Sequence, residues 1–270
     1  MNHQLKETIG KISVLFMLGL TLYFLLSCEA TTPMPTPPNR PIDINLSSLS
    51  SRYIDLSKHS SDTITISGIY SGDRLVFSKA EKKVIHFQNA TISSTHAEDA
   101  MAFNGPVLDV EILAQGLRLS GGGITFWNIL SNVEIIGGRI DSTHTGIRFT
   151  QDLPHKNVTI RNWMITNASH EGIYMGPSKS SSNKGSGFFV MDNTITNTGW
   201  DPVQVGNVTY FVISGNSITN GALAKEYGQD YGITVNPGSL GYIYNNEIAN
   251  IPKPIQILDS RAFFHAPDAR

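Results

Sequence analysis

Five times between Ser131 and Ile257 a short hydrophobic segment ends on an isoleucine, turns on a polar residue and gives way to a second short apolar segment. The isoleucines are Ile140, Ile165, Ile195, Ile218 and Ile248, spaced 25, 30, 23 and 30 residues apart. Two residues after each comes Ser142, Asn167, Asn197, Asn220 or Asn250. The second segments read GIRF, GIYM, PVQV, GITV and PIQI, starting at Gly146, Gly172, Pro202, Gly232 and Pro254. A period of this size means stacked units, none of which can bury its apolar face alone. Strand-length segments, β-branched residues and intervening turn residues argue against helical repeats of similar period.

Strands stacked in parallel bring equivalent residues of successive units about 4.8 Å apart, so residue types form columns. Asn167, Asn197, Asn220 and Asn250 make one column, with Ser142 beneath; Asn193, Asn216 and Asn246 make another, whose earlier places hold Trp163 and Gly138. Stacked amides bond one another and the turn backbone, so both columns read as structural ladders. Asn197→Ala is therefore expected to leave buried partners unpaired.

The columns beside the second segments are different. The position before each holds Thr145, Glu171, Asp201, Tyr231 and Lys253, and the one before that His144, His170, Trp200, Asp230 and Pro252. Two residues into the segments stand Arg148, Tyr174, Gln204, Thr234 and Gln256, flanked by apolar residues and so facing outward. This gathers acids, imidazoles, aromatics and an arginine on one expected outer surface. Glu171 and Asp201, on neighbouring units, would stand about 5 Å apart. Like charges that close raise one pKa, or recruit a cation or an arginine.

The pattern resembles a right-handed parallel β-helix of the pectate-lyase-like superfamily. The strings HEGIYMG at 170–176 and GWDPVQVGN at 199–207 are similar to segments of uncharacterised β-helix proteins of environmental bacteria. That resemblance covers 107–257 and implies a fold, not a reaction. The paired Asp, Gly-His-Gly and Arg-x-Lys motifs of polygalacturonases are absent, as is the tyrosine-and-acid pattern of mannuronan epimerases. No Cys/His cluster points to zinc, and Gly121–Gly123 lacks the context of a phosphate loop.

Outside the repeats, residues 1–28 read as a targeting segment. Lys6 and Lys11 precede an apolar stretch from Ile12 to Leu26, shorter than the roughly 20 residues that cross a membrane. It ends Leu25-Leu26-Ser27-Cys28, which resembles a bacterial lipobox and implies cleavage before Cys28 and its lipidation; Cys28 is the single cysteine of the chain. Residues 29–41, with five prolines in thirteen, form a tether. Residues 42–60 are expected to cap a β-helix spanning 61–258, and 259–270 to form a tail covering its last coil. Within it, 63–93 reads as the first coil and STHAEDAMAFNGP at 94–106 as a loop. The insertions at 177–186 and 221–229 fall between strands, where a solenoid tolerates them.

These readings converge on an all-β protein anchored by lipid in the bacterial cell envelope, with the outer membrane favoured by Glu29 after the cysteine. A net charge of −2 with 16% charged residues offers no field to nucleic acid. The expected partner is an extracellular polysaccharide, bound and cleaved by a monomer. Glu171 and Asp201 form the acid/base pair, with His170 or Asp230 tuning it. His144, Arg148, Tyr174, Trp200, Gln204 and Tyr231 contact substrate. Hydrolysis is favoured over elimination because no desolvated lysine stands in the central columns. No cofactor is required, although Glu171, Asp201 and Asp230 could instead hold Ca²⁺. The alternative is a non-catalytic glycan-binding or adhesion module using the same groove.

Overall fold

The computed structural model describes residues 40–258, apart from 97, 151–152, 176–184 and 225–229, together with the backbone of 263–264. The expected signal segment, Cys28 and nearly all of the tether lie outside these residues, as do most of both insertions and of the tail.

Each unit supplies three strands, as in 130–136, 139–143 and 147–149, and each strand pairs in parallel with its counterparts one unit away. The result is a parallel β-solenoid with three faces. Two faces belong to one 16-stranded sheet, because the long strands 63–72 and 80–94 run continuously round their shared edge; the third is a separate nine-stranded sheet. The expected register holds. Ile140, Ile165, Ile195, Ile218 and Ile248 stack in one column. Ile147, Ile173, Val203, Ile233 and Ile255 stack in another. All but Ile248 and Ile255, at the open end, are fully buried. A third inward column stacks Phe77, Phe103, Phe126 and Phe149, with ring centroids 4.8–5.4 Å apart, close to the strand spacing itself.

The early coils depart from the sequence reading. Residues 63–93 are parts of two coils, since Thr63 pairs with Val84 and Ile69 with Thr91. The polar stretch 94–106 contains the strand Asp99–Phe103, every residue of which is buried. Residues 42–60 form a first, shortened coil. Its strand Ile42–Asn45 pairs with 64–67, Tyr53–Ile54 pairs with 76–77, and two 3-10 turns bury Leu46 and Leu56. Of the tail, Phe263 and Phe264 pair by backbone with Tyr242 and Ile243.

The corners explain the asparagines. Ser142, Asn167, Asn197, Asn220 and Asn250 all have φ of +52° to +58°, a left-handed conformation that asparagine tolerates better than most residues. That turn swings their side chains outward, so this ladder is exposed: the Asn197 amide donates to Asn167 at 3.1 Å and that of Asn220 to Asn197 at 3.3 Å. The buried ladder is the other one. Asn193 donates its amide to Ile160 O and to Asn216 Oδ1 at 3.1 and 2.9 Å, while its backbone N–H also donates to Asn216 Oδ1 at 3.0 Å. Asn216 repeats the pattern on Val190 O and Asn246. The expectation that Asn197 is the buried rung is thus corrected. Where the buried ladder reaches Trp163, the indole Nε1–H takes over the amide's role and donates to Ile135 O at 3.2 Å. The Trp163 ring, 1% exposed, lies over Gly138, where any Cβ would come within 2.5 Å of it.

Candidate functional site

The nine-stranded face carries the polar cluster. Its outward column runs Arg148, Tyr174, Gln204, Thr234 and Gln256 in the expected register, and continues back through Thr125 and Ala102. A cleft of about 290 Å³ opens across it, lined by His144, Thr145, Arg148, His170, Glu171, Tyr174, Trp200 and Gln204. Seven of these eight are residues singled out in the sequence, so three adjacent coils do converge.

Glu171 stands two residues before the strand Ile173–Met175, at the mouth of the cleft. It is 7% exposed, not part of an open outer surface as expected, and accepts a hydrogen bond from Thr145 Oγ1 at 3.2 Å. Burial raises its pKa, and the nearby charge of Asp201 adds to the rise. Asp201, two residues before the strand Val203–Val205, is buried more deeply, at 1% exposure. Its Oδ1 accepts the backbone N–H of Tyr231 at 2.9 Å. Its pKa is raised by burial, against that hydrogen bond. Asp201 does not line the cleft, so the two acids are neighbours without both facing one cavity.

His144, His170 and Trp200 stack along one edge. The centroids of His144 and His170 are 3.6 Å apart, and His170 lies 3.7 Å from Trp200 at an interplanar angle of 11°. His170 thus has Trp200 stacked on its ring and His144 tilted against it at 47°. Burial lowers the pKa of both imidazoles, and the positive charges of His144 and Arg148 lower that of His170 further. Near neutral pH this edge is therefore uncharged.

Asp230 and Tyr231 are not brought into the cleft. Asp230 pairs with Lys253 at 2.7 Å, and Lys253 lies 4.8 Å over the Tyr231 ring. With Asp230 so engaged, the acids considered for calcium do not converge. Among the described residues no three His, Cys, Asp or Glu side chains are placed to share a metal ion.

The structure adds residues that the sequence reading passed over. Arg148 bonds Glu98 at 3.2 Å and lies 5.4 Å over the Trp127 ring. Asp99, 0% exposed, pairs with Arg74 at 3.1 Å, stands 3.7 Å from Arg148 and accepts the Thr125 hydroxyl. Beyond Arg148 a second cavity of about 690 Å³ is lined by Arg74, His96, Glu98, Asn104 and Trp127. The signal was the run His96–Asp99, four residues past Ile92, which stands in the column of Ile140 through Leu119.

Residues 154–263 match the family model described as a right handed beta helix region. No curated protein matches the chain. Among solved structures, the A-module of the mannuronan C-5 epimerase AlgE4 of Azotobacter vinelandii aligns over 78% of this chain and 92% of its own, at 9% identity and a TM-score of 0.22. At that score the alignment bears on neither substrate nor reaction.

Proposed function

We propose that the protein binds a polysaccharide across the nine-stranded face and hydrolyses it, with Glu171 as general acid. The observation that carries this reading is the opposite direction of two pKa shifts within one cleft: Glu171 is held toward its protonated form and the adjacent His170 toward its neutral form. Groups pushed apart in this sense are matched to acid and base at neutral pH. Glu171 gives its proton to the glycosidic oxygen as the bond to the anomeric carbon breaks. A water adds to that carbon, and the His170 imidazole takes the proton the water loses. Trp200 and Tyr174 offer ring faces or edges to the sugar, and Gln204 hydrogen-bonds hydroxyls. Asp201, bonded to Tyr231 N–H, keeps a positioning role beside Glu171.

The test is a polysaccharide panel read both by reducing ends and by the absorbance of unsaturated uronides. Hydrolysis predicts new reducing ends without unsaturated product, lost in Glu171→Gln. Unsaturated product would replace this reading with elimination, and parental turnover by Glu171→Gln would remove Glu171 from the chemistry. The non-catalytic alternative draws support from Asp201, whose withdrawal from the cleft denies the site a second open carboxylate. Binding that survives Glu171→Gln without turnover in either protein would favour that module. Envelope anchoring through Cys28 belongs to the same proposal. Fatty-acid probe labelling that persists in Cys28→Ala would reject it.

A further inference from the structure

The second cavity lies on the same face as the Glu171 cleft, and only Arg148 stands between them. Arg148 lines the cleft, while its two contacts on the far side, Glu98 and Trp127, line the second cavity. The cavity reaches across the whole width of the face. Arg74 and Glu98 stand at the edge where the coil enters it, the edge that also carries Thr145 and Glu171, and Asn104 and Trp127 stand at the edge where the coil leaves. The outward column between those edges, Ala102 then Thr125, is small and itself buried, so the cavity is walled by the longer side chains at the edges. Trp127 is 39% exposed, unlike Trp163, so part of its ring is open to a ligand beside the Arg148 guanidinium.

Charge decides what kind of ligand fits. Arg74 is matched by the buried Asp99 at 3.1 Å and Arg148 by Glu98 at 3.2 Å. Two guanidiniums facing two carboxylates leave many hydrogen-bonding groups and no net charge. An acidic sugar would have to break one of these pairs, whereas a neutral sugar need only exchange hydroxyl hydrogen bonds with water.

We propose that this cavity is a second sugar subsite, with Trp127 as stacking platform and Arg74, Glu98 and Asn104 as hydroxyl partners, and that the ligand is a chain of uncharged sugars long enough to cross Arg148. The proposal rests on the reading of the face as a glycan site and narrows its substrate to neutral polysaccharides. Thr125, Arg148 and Tyr174 are successive rungs of one column. The Trp127 coil and the Glu171 coil are therefore two strand spacings, about 10 Å, apart. That separation is wider than one sugar ring, so short oligomers can occupy one subsite but not both.

The test uses the Glu171→Gln protein, so that ligands are not consumed, with calorimetric titration against neutral hexasaccharides (cello-, xylo-, manno- and chito-), their disaccharides and hexagalacturonate. At least one neutral hexasaccharide should bind, at least about ten-fold tighter than its disaccharide, the equivalent of about 1.4 kcal/mol. Trp127→Ala should bring the hexasaccharide down to the disaccharide's affinity, Trp127→Phe should restore part of the difference, and hexagalacturonate should bind less well. Equal hexasaccharide affinity in parent and Trp127→Ala, or tighter binding of the uronate, would overturn the subsite while leaving Glu171 hydrolysis standing. Trp127-dependent binding of a polymer that the parental protein never cleaves would uphold the subsite and remove the hydrolysis. No binding by any of these ligands would remove both.

Discussion

Replacing Asn216 by alanine tests the buried ladder, and its cost can be worked from the bonds lost. The Asn216 amide donates to Val190 O at 2.9 Å and to Ser214 O at 3.1 Å, and its Oδ1 accepts both the backbone N–H and the amide of Asn193. Asn193's amide retains Ile160 O, and Asn246 Oδ1 retains the Asn216 backbone N–H. The group left bare in the interior is the Asn193 N–H, since Val190 lies mid-strand and its carbonyl stays in the ladder. At about 1–3 kcal/mol for that buried donor and about 0.5–1.5 kcal/mol for each of the two amide–carbonyl bonds lost, Asn216→Ala should cost about 2–6 kcal/mol. Asn197→Ala exchanges only solvent-facing bonds and places alanine at φ +56°, a strain of roughly 1–2 kcal/mol. Asn197→Gly removes that strain and should lie close to the parent. Thermal melts of the three variants should therefore rank Asn216→Ala lowest, and hydrogen exchange should show the Asn193 amide losing protection selectively. An Asn216→Ala melt equal to or above that of Asn197→Ala would refute the assignment of the buried ladder.

Glu171→Gln should raise stability while abolishing turnover. A carboxyl whose folded pKa is raised favours folding below its unfolded value and loses that contribution as pH rises through the folded one, so the gain should grow from acid toward neutral pH in urea melts. Acidification should weaken the fold in the opposite sense. His155 is fully buried, accepts Leu130 N–H on Nδ1 and faces Thr150 O with Nε2, and burial lowers its pKa. The stability it contributes is present above about pH 6.5 and is lost as pH falls toward its depressed value; a melting temperature flat from pH 7 to pH 5 in the Glu171→Gln, Asp201→Asn protein, which lacks the two buried acids acting in the other direction, would contradict this. Gly138→Ala places a Cβ at φ +110° and 2.5 Å from the Trp163 ring. It should cost at least about 1–3 kcal/mol, the range for overpacking, with a change in indole fluorescence that a melt-neutral substitution would not show.

The solenoid itself was legible because isoleucine recurs at the one place in each coil where no polar residue can be buried. Choosing between the two asparagine columns was not a matter of pattern. Strict alternation puts Asn193, Ile195 and Asn197 on the same side, and only the left-handed turn at 197 reverses the last of them. The burial of Glu171 and Asp201 was not a matter of pattern either: both precede their strands, and the same place in later coils holds a half-buried Tyr231 and an exposed Lys253. Arg74, Asp99 and Trp127 stayed hidden for another reason. Their coils share the column of Phe103, Phe126 and Phe149 with the later ones, but a run of glycines at 121–123 lets the chain pass close over Asp99 and Ala100. Acids in such a segment look like loop residues until the strand pairing is known.

Trp163 has a consequence for assembly of the coils. Columns of like residues invite a strand to pair one whole coil out of step, since isoleucine would still meet isoleucine. Trp163 can settle only over Gly138. One coil earlier that place falls to Leu117, the residue opposite Gly138 in the Arg118–Arg139 pairing. Slipped by one coil toward it, the indole would collide with the leucine side chain, and Ile135 O would lose the indole as a donor. This pair acts as a key that makes an otherwise repetitive stack count its own coils. Duplicating or deleting a coil elsewhere should leave pairing at this step unambiguous, whereas an insertion between Gly138 and Trp163 would remove the step itself.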